Sequence, residues 1–110
     1  MLSFLRAFFL AIIVAMLWVT ISASLDRGVF EAAKDLWPDP WFRATLADAY
    51  FGFLTVYVWV AYKERTLLAR ALWLVAFLGL GNIAIAVYVL VQLVKVGRGG
   101  SLESVLLREA

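Results

Sequence analysis

From Ala7 to Val19 the chain runs for thirteen residues without one polar side chain. Such a run limits the available folds sharply. In lipid every backbone N–H and C=O must be satisfied inside its own segment, which leaves a helix as the simplest solution. Widened to Leu2–Ala23, the stretch includes only Ser3, Arg6, Thr20 and Ser22 as polar residues. As a helix it would be about 33 Å long, enough for a hydrocarbon core of about 30 Å. Composition points the same way. Hydrophobic residues make up 65% of the 110 residues, against roughly 45–50% in soluble proteins, and a domain this small exposes too much surface to hide the excess. The expectation is a single all-α integral membrane domain, 1–110, in the cell membrane, with the bilayer as its first partner. A rival reading takes Arg6, the apolar run and Ser22-Ala23-Ser24 as a cleaved signal peptide. The presence of Met1–Ala23 in the chain favours a retained anchor.

Two further spans are expected, about 40–62 and 67–94. Between the first and second lies a polar segment, 24–39, carrying Asp26, Arg27, Glu31, Lys34, Asp35 and Asp39. Its apolar residues Val29, Ala33 and Leu36 or Trp37 recur at helical spacing, so it reads as a short interfacial helix or a solvated loop. Pro38 ends any helix there. Asp39 can cap the second span and Pro40 suits its first position, where the missing N–H is harmless. Lys63, Glu64 and Arg65 form a tight turn into the third span, which Gly97, Gly99 and Gly100 terminate. The tail, 97–110, has room for a turn or two of helix capped by Ser101. Tryptophan prefers interfaces: Trp18, Trp37 and Trp41 mark one, Trp59 the other, while Trp73 reads as a core residue.

Three spans would put the N-terminus and the C-terminus on opposite sides. Arg6, Lys63, Arg65 and Arg70 then face six basic residues across the membrane. A raw count of Lys and Arg places those six inside, but the dense basic turn and the charge preceding the first span favour a cytoplasmic N-terminus.

Two residues are out of place in lipid. Asp48 and Asn82 each lie seventeen positions from residue 65, so an antiparallel hairpin brings both to a depth of about 25 Å. Steps of three and four group Thr45, Asp48, Gly52 and Thr55 on one stripe, leaving Tyr50, Phe53, Leu54, Tyr57 and Val58 largely for lipid or other neighbours. Gly79, Asn82 and Ala86 form a comparable small-residue line on the third span, and small residues let helices approach closely. The expectation is an Asp48–Asn82 clamp that fixes register, since such bonds average only about 0.6 kcal/mol in membranes. The alternative is a proton-coupled or small-solute transporter assembled around Asp48.

Catalysis is not expected. Without Cys or His there is no thiol chemistry, disulfide, His-ligated metal or Ser-His-Asp triad. Asp48 has no acidic companion in the apolar region, which paired-carboxylate chemistry requires. No metal site or cofactor is expected, and a net charge of +2 gives no reason to expect nucleic acid. Lys63, Arg65 and Arg70 suit lipid phosphates or simple anchoring.

The stretch Asp48-Ala-Tyr-Phe-Gly-Phe-Leu-Thr through Trp59-Val-Ala-Tyr-Lys-Glu-Arg65, the run Gly81-Asn82-Ile-Ala-Ile-Ala-Val-Tyr88, and Asp39-Pro40-Trp41 resemble the bacterial and plant membrane proteins called domain of unknown function 1475. The resemblance implies a compact integral membrane protein and supplies no catalytic or binding residues. Three-span half-transporters of the semi-SWEET type are similar in length, but their Pro-Gln motif is missing from the first span. The expectation is therefore a non-catalytic accessory or interaction subunit, self-associated or held in a larger membrane complex.

Overall fold

The computed structural model describes residues 2–97 and 100–108. They form six helices: α1 (Leu2–Asp26), α2 (Val29–Leu36), α3 (Pro40–Lys63), α4 (Leu67–Leu80), α5 (Asn82–Val96) and α6 (Leu102–Leu106). No strand occurs among the described residues. Only α1 and α3 are long and apolar enough to cross a membrane. The single span expected over 67–94 is two helices, of 14 and 15 residues, each about 21–22 Å long and too short to cross.

Gly81 is the cause. Its φ of 58° and ψ of −125° lie where only glycine is unstrained. The turn is a single residue: Gly81 N–H donates to the Phe77 carbonyl at 2.9 Å, and its own carbonyl accepts from Ile85 at 3.1 Å. Beyond it the chain reverses. Trp73 and Tyr88 would stand about 22 Å apart on a straight helix, yet their ring centroids are 4.8 Å apart. α4 and α5 are thus an antiparallel hairpin, and α5 returns towards the turn between α3 and α4.

Local chemistry fixes the remaining elements. Asp39 accepts from Trp41 N–H at 3.0 Å and Pro40 occupies the first turn of α3, as expected. Thr66 caps α4 by accepting from Ala69 N–H at 3.1 Å. The segment 24–39 splits: α1 continues to Asp26, and α2 takes the helical of the two alternatives, helix or loop, that the sequence left open there. Two tyrosines set the register of α3 against α4, Tyr50 Oη donating to the Leu78 carbonyl at 3.0 Å and Tyr57 Oη to that of Arg70 at 2.9 Å.

α5 is the centre of the bundle, with α1 and α4 as its main neighbours. Leu2, Leu5, Phe9, Ile12 and Met16 of α1 are half-buried at steps of three and four, while every residue from Leu17 to Asp26 is exposed. The Arg6 guanidinium reaches the Leu93 carbonyl near the end of α5, so α1 runs antiparallel to α5 and outlasts it beyond the hairpin tip. Both ends of the described chain consequently lie at the same end of the bundle, which corrects the opposite-ends arrangement of three spans.

The accessible surface is 7876 Å². A soluble monomer of 12.3 kDa would have about 6,100 Å². Much of the excess is apolar: Phe4, Val14, Trp18 and Phe51 are all strongly exposed.

Candidate functional site: an outward polar stripe and a basic cavity

The fully buried Val60, Phe77, Ala84 and Tyr88 form the core that positions everything else. Tyr88 receives Trp59 and Trp73 edge-on, at centroid distances of 5.3 and 4.8 Å. Edge-to-face packing of this kind adds about 0.5–1.5 kcal/mol per pair beyond burial. Phe53 closes the top, its ring against Gly81. These contacts show which side of α3 faces inward: Phe53, Val56, Tyr57 and Val60.

That orientation reverses the expected one. Thr45, Asp48, Gly52 and Thr55 are all exposed, whereas Tyr50, Phe53 and Tyr57, expected to meet lipid or other neighbours, pack on or bond to the α4–α5 hairpin, and Leu54 and Val58 are exposed. Bulk explains it: the space around a one-residue reversal is filled by Phe53 and Tyr57, a task for which Gly52 and Thr55 are too small. Thr55 Oγ1 is satisfied within its own helix, donating to the Phe51 carbonyl at 2.8 Å. Continuing the register of the two tyrosine bonds places Asp48 level with Leu80, close in height to Asn82. The expected clamp does not form. Both residues are exposed, and no hydrogen bond joins them among the described residues. The small-residue line is divided by the reversal as well, with Gly79 exposed on α4 and Ala86 buried on α5.

At the other end of α3 the fold gathers charge. α6 lies across the bundle, and its last carbonyls, which no helical N–H can reach, are taken up by α3. Trp59 Nε1 donates to the Leu106 carbonyl at 2.8 Å and the Lys63 ammonium donates to that of Val105. Beside this contact is a cavity of about 390 Å³ lined by Lys63, Arg65, Lys95 and Arg108 together with Glu64 and Gln92. Of the three basic residues expected to act together, Lys63 and Arg65 are present. Arg70 is not, because its Nε donates to the Glu64 carbonyl at 3.0 Å and braces the turn. Lys95 and Arg108 were assigned to the opposite end by the three-span reading; only the return of α5 brings them here. Gln92 was not among the residues the sequence singled out.

Among the described residues no three carboxylates converge on a point that could hold a metal ion. No curated protein and no solved structure matches the chain. A family model matches residues 2–110, and the chain therefore belongs to the family described as Protein of unknown function (DUF1475).

Proposed function

We propose that this protein is a small membrane-embedded, non-catalytic interaction subunit, with α1 and α3 crossing the bilayer and the α4–α5 hairpin entering and leaving from one side. Its partner is a second membrane helix, from another copy or a larger complex, seated along the Thr45–Asp48–Gly52–Thr55 stripe. The observation that carries this reading is Asp48, exposed on the outside of a helix of membrane-crossing length. A carboxyl group facing hydrocarbon costs on the order of 2.5–3.5 kcal/mol, which a partner's polar or backbone groups would offset. Gly52 adds a point of close approach.

Orientation follows from the hairpin. Arg6, Lys63, Arg65, Arg70, Lys95 and Arg108 lie towards one end of the bundle; Arg27, Lys34 and Arg43 lie at the other, among Asp26, Glu31, Asp35 and Asp39. Six basic residues against three favour a cytoplasmic location for the first end, and with it for both ends of the described chain.

The test uses open positions. A Cβ at Gly52 or at Gly79 meets nothing within 4 Å, so Gly52→Leu and Gly79→Leu should both leave the fold intact. After mild-detergent extraction, mass analysis should show an assembly larger than the monomer for wild type and Gly79→Leu. Gly52→Leu should weaken it by roughly tenfold or more, the effect of about 1.4 kcal/mol of lost packing. A wild-type protein that is monomeric throughout, or equal losses in both variants, would refute the proposal.

A further inference from the structure

The cavity at the basic end has the features of a binding site in its own right. Two of its cations are held in place by packing: Lys63 lies over the Trp59 ring at 5.7 Å from its centroid, and Arg108 over Tyr62 at 5.2 Å. Arg65 and Lys95 form no ion pair among the described residues, where the single salt bridge joins Arg27 to Asp35 at the far end. Among the described residues, four cations and one carboxylate line the cavity of about 390 Å³, a positive balance that attracts anions. The cavity lies within the usual size range of small-molecule sites, about 300–1,000 Å³.

An independent observation concerns Gln92. The residue is only 4% exposed and lines the cavity, yet its side chain makes no hydrogen bond among the described residues. Buried amides are nearly always paired. An unused amide at the floor of a ring of cations is the arrangement expected where a ligand supplies the missing acceptor.

We infer that this cavity binds a phosphoryl group, with Arg65 and Lys95 as its mobile cationic contacts, Lys63 and Arg108 as fixed ones, and the Gln92 amide as donor at its floor. Guanidinium and ammonium groups together, rather than a single fork, suit the several oxygens of a phosphate. The phosphoryl could be carried by an anionic lipid headgroup or by a soluble phosphorylated molecule. Glu64 limits the net charge and would disfavour a polyanion.

The experiment follows the melting temperature of the full chain in a neutral detergent with added inorganic phosphate, short-chain phosphatidic acid or short-chain phosphatidylcholine. Phosphatidic acid should raise it in a saturable manner and phosphatidylcholine should not. A matching response to inorganic phosphate identifies recognition of the phosphoryl whatever its carrier; its absence, alongside a phosphatidic acid response, identifies a lipid source. The variant Arg65→Gln/Lys95→Gln, whose side chains form no hydrogen bond or ion pair among the described residues, should melt like wild type without ligand and bind roughly tenfold or more weakly. Gln92→Leu should also bind more weakly. No response to either phosphate, or an undiminished response in the double variant, would overturn the inference. Gly52→Leu should respond as wild type does, which separates this outcome from that of the association test.

Discussion

Replacing Gly81 with alanine is the most direct challenge to the fold. Two effects oppose the hairpin. The backbone at φ 58°, ψ −125° is strained for any L side chain, by about 1–3 kcal/mol. The new Cβ would stand 2.8 Å from Phe53 Cζ, but that atom is the far end of a ring that can swing, so only about 1 kcal/mol of overpacking is expected. Backbone strain is therefore the larger effect. Alanine also favours a continuous helix by about 1 kcal/mol. The combined shift is about 3–5 kcal/mol away from the folded-back state, a large fraction of a typical stability of about 5–15 kcal/mol. Spin labels report the outcome, since the chain has no cysteine of its own and Leu68 and Val94 are both well exposed. Folded back, these positions sit on adjacent antiparallel helices whose axes are about 8–10 Å apart; on one straight helix they are about 39 Å apart. Gly81→Ala should broaden the distance distribution towards the longer value and lower the melting temperature. Adding Phe53→Leu should recover only the smaller, steric part. Gly79→Ala, in open space with no positive φ, should change neither reading. A Gly81→Ala protein that keeps the short distance and melts within a degree of wild type would refute this account of the reversal.

Two other substitutions test the polar contacts on α3. Tyr57→Phe removes the donor to the Arg70 carbonyl and should destabilise by about 1 kcal/mol, whereas Thr55→Val, whose hydroxyl serves only its own helix, should stay within about 0.5 kcal/mol; thermal melts of both variants make the comparison. Trp59→Phe loses the N–H that holds the Leu106 carbonyl and should loosen α6, seen as faster proteolysis after Arg108 with little change in helix content.

The elements governed by local chemistry could be read from the sequence. Asp39-Pro40 announces the start of α3, the 63–65 turn follows from its charges, and α2 follows from its spacing. The hairpin could not be read in this way. Hydropathy sums over 67–94 without registering a single residue, and Gly79 and Gly81 look alike until their φ angles are known. The signal available was Gly81 followed directly by Asn82, a helix-ending pair inside an apolar run. The orientation of α3 failed for a related reason. Grouping Thr45, Asp48, Gly52 and Thr55 was correct, but which side of a helix faces inward depends on the volume its neighbours leave. With α5 folded back, the space to be filled calls for Phe53, Tyr57 and Val60, and the polar stripe is turned out.

The reversal also bears on charge, which played no part in detecting it. Were 67–94 one crossing, the described basic residues would divide into Arg6, Lys63, Arg65 and Arg70 on one side and Arg27, Lys34, Arg43, Lys95 and Arg108 on the other, a near-even split with no clear orientation. Folding back at Gly81 moves Lys95 and Arg108 to the side that already holds the basic turn. The acidic 24–39 segment then has only Arg27, Lys34 and Arg43 for company, with one exposed Arg27–Asp35 pair at 2.6 Å that adds little to stability. Charge asymmetry, the length of α4 and α5, and the unpartnered Gln92 amide at the basic cavity thus all follow from one backbone angle. On the membrane reading proposed above, restoring a straight helix would at once expel the C-terminal residues to the acidic side, dismantle the cavity and weaken the orientation signal. Loss of phosphate response in Gly81→Ala should therefore accompany the lengthened distance between labels at 68 and 94, and neither change should occur without the other.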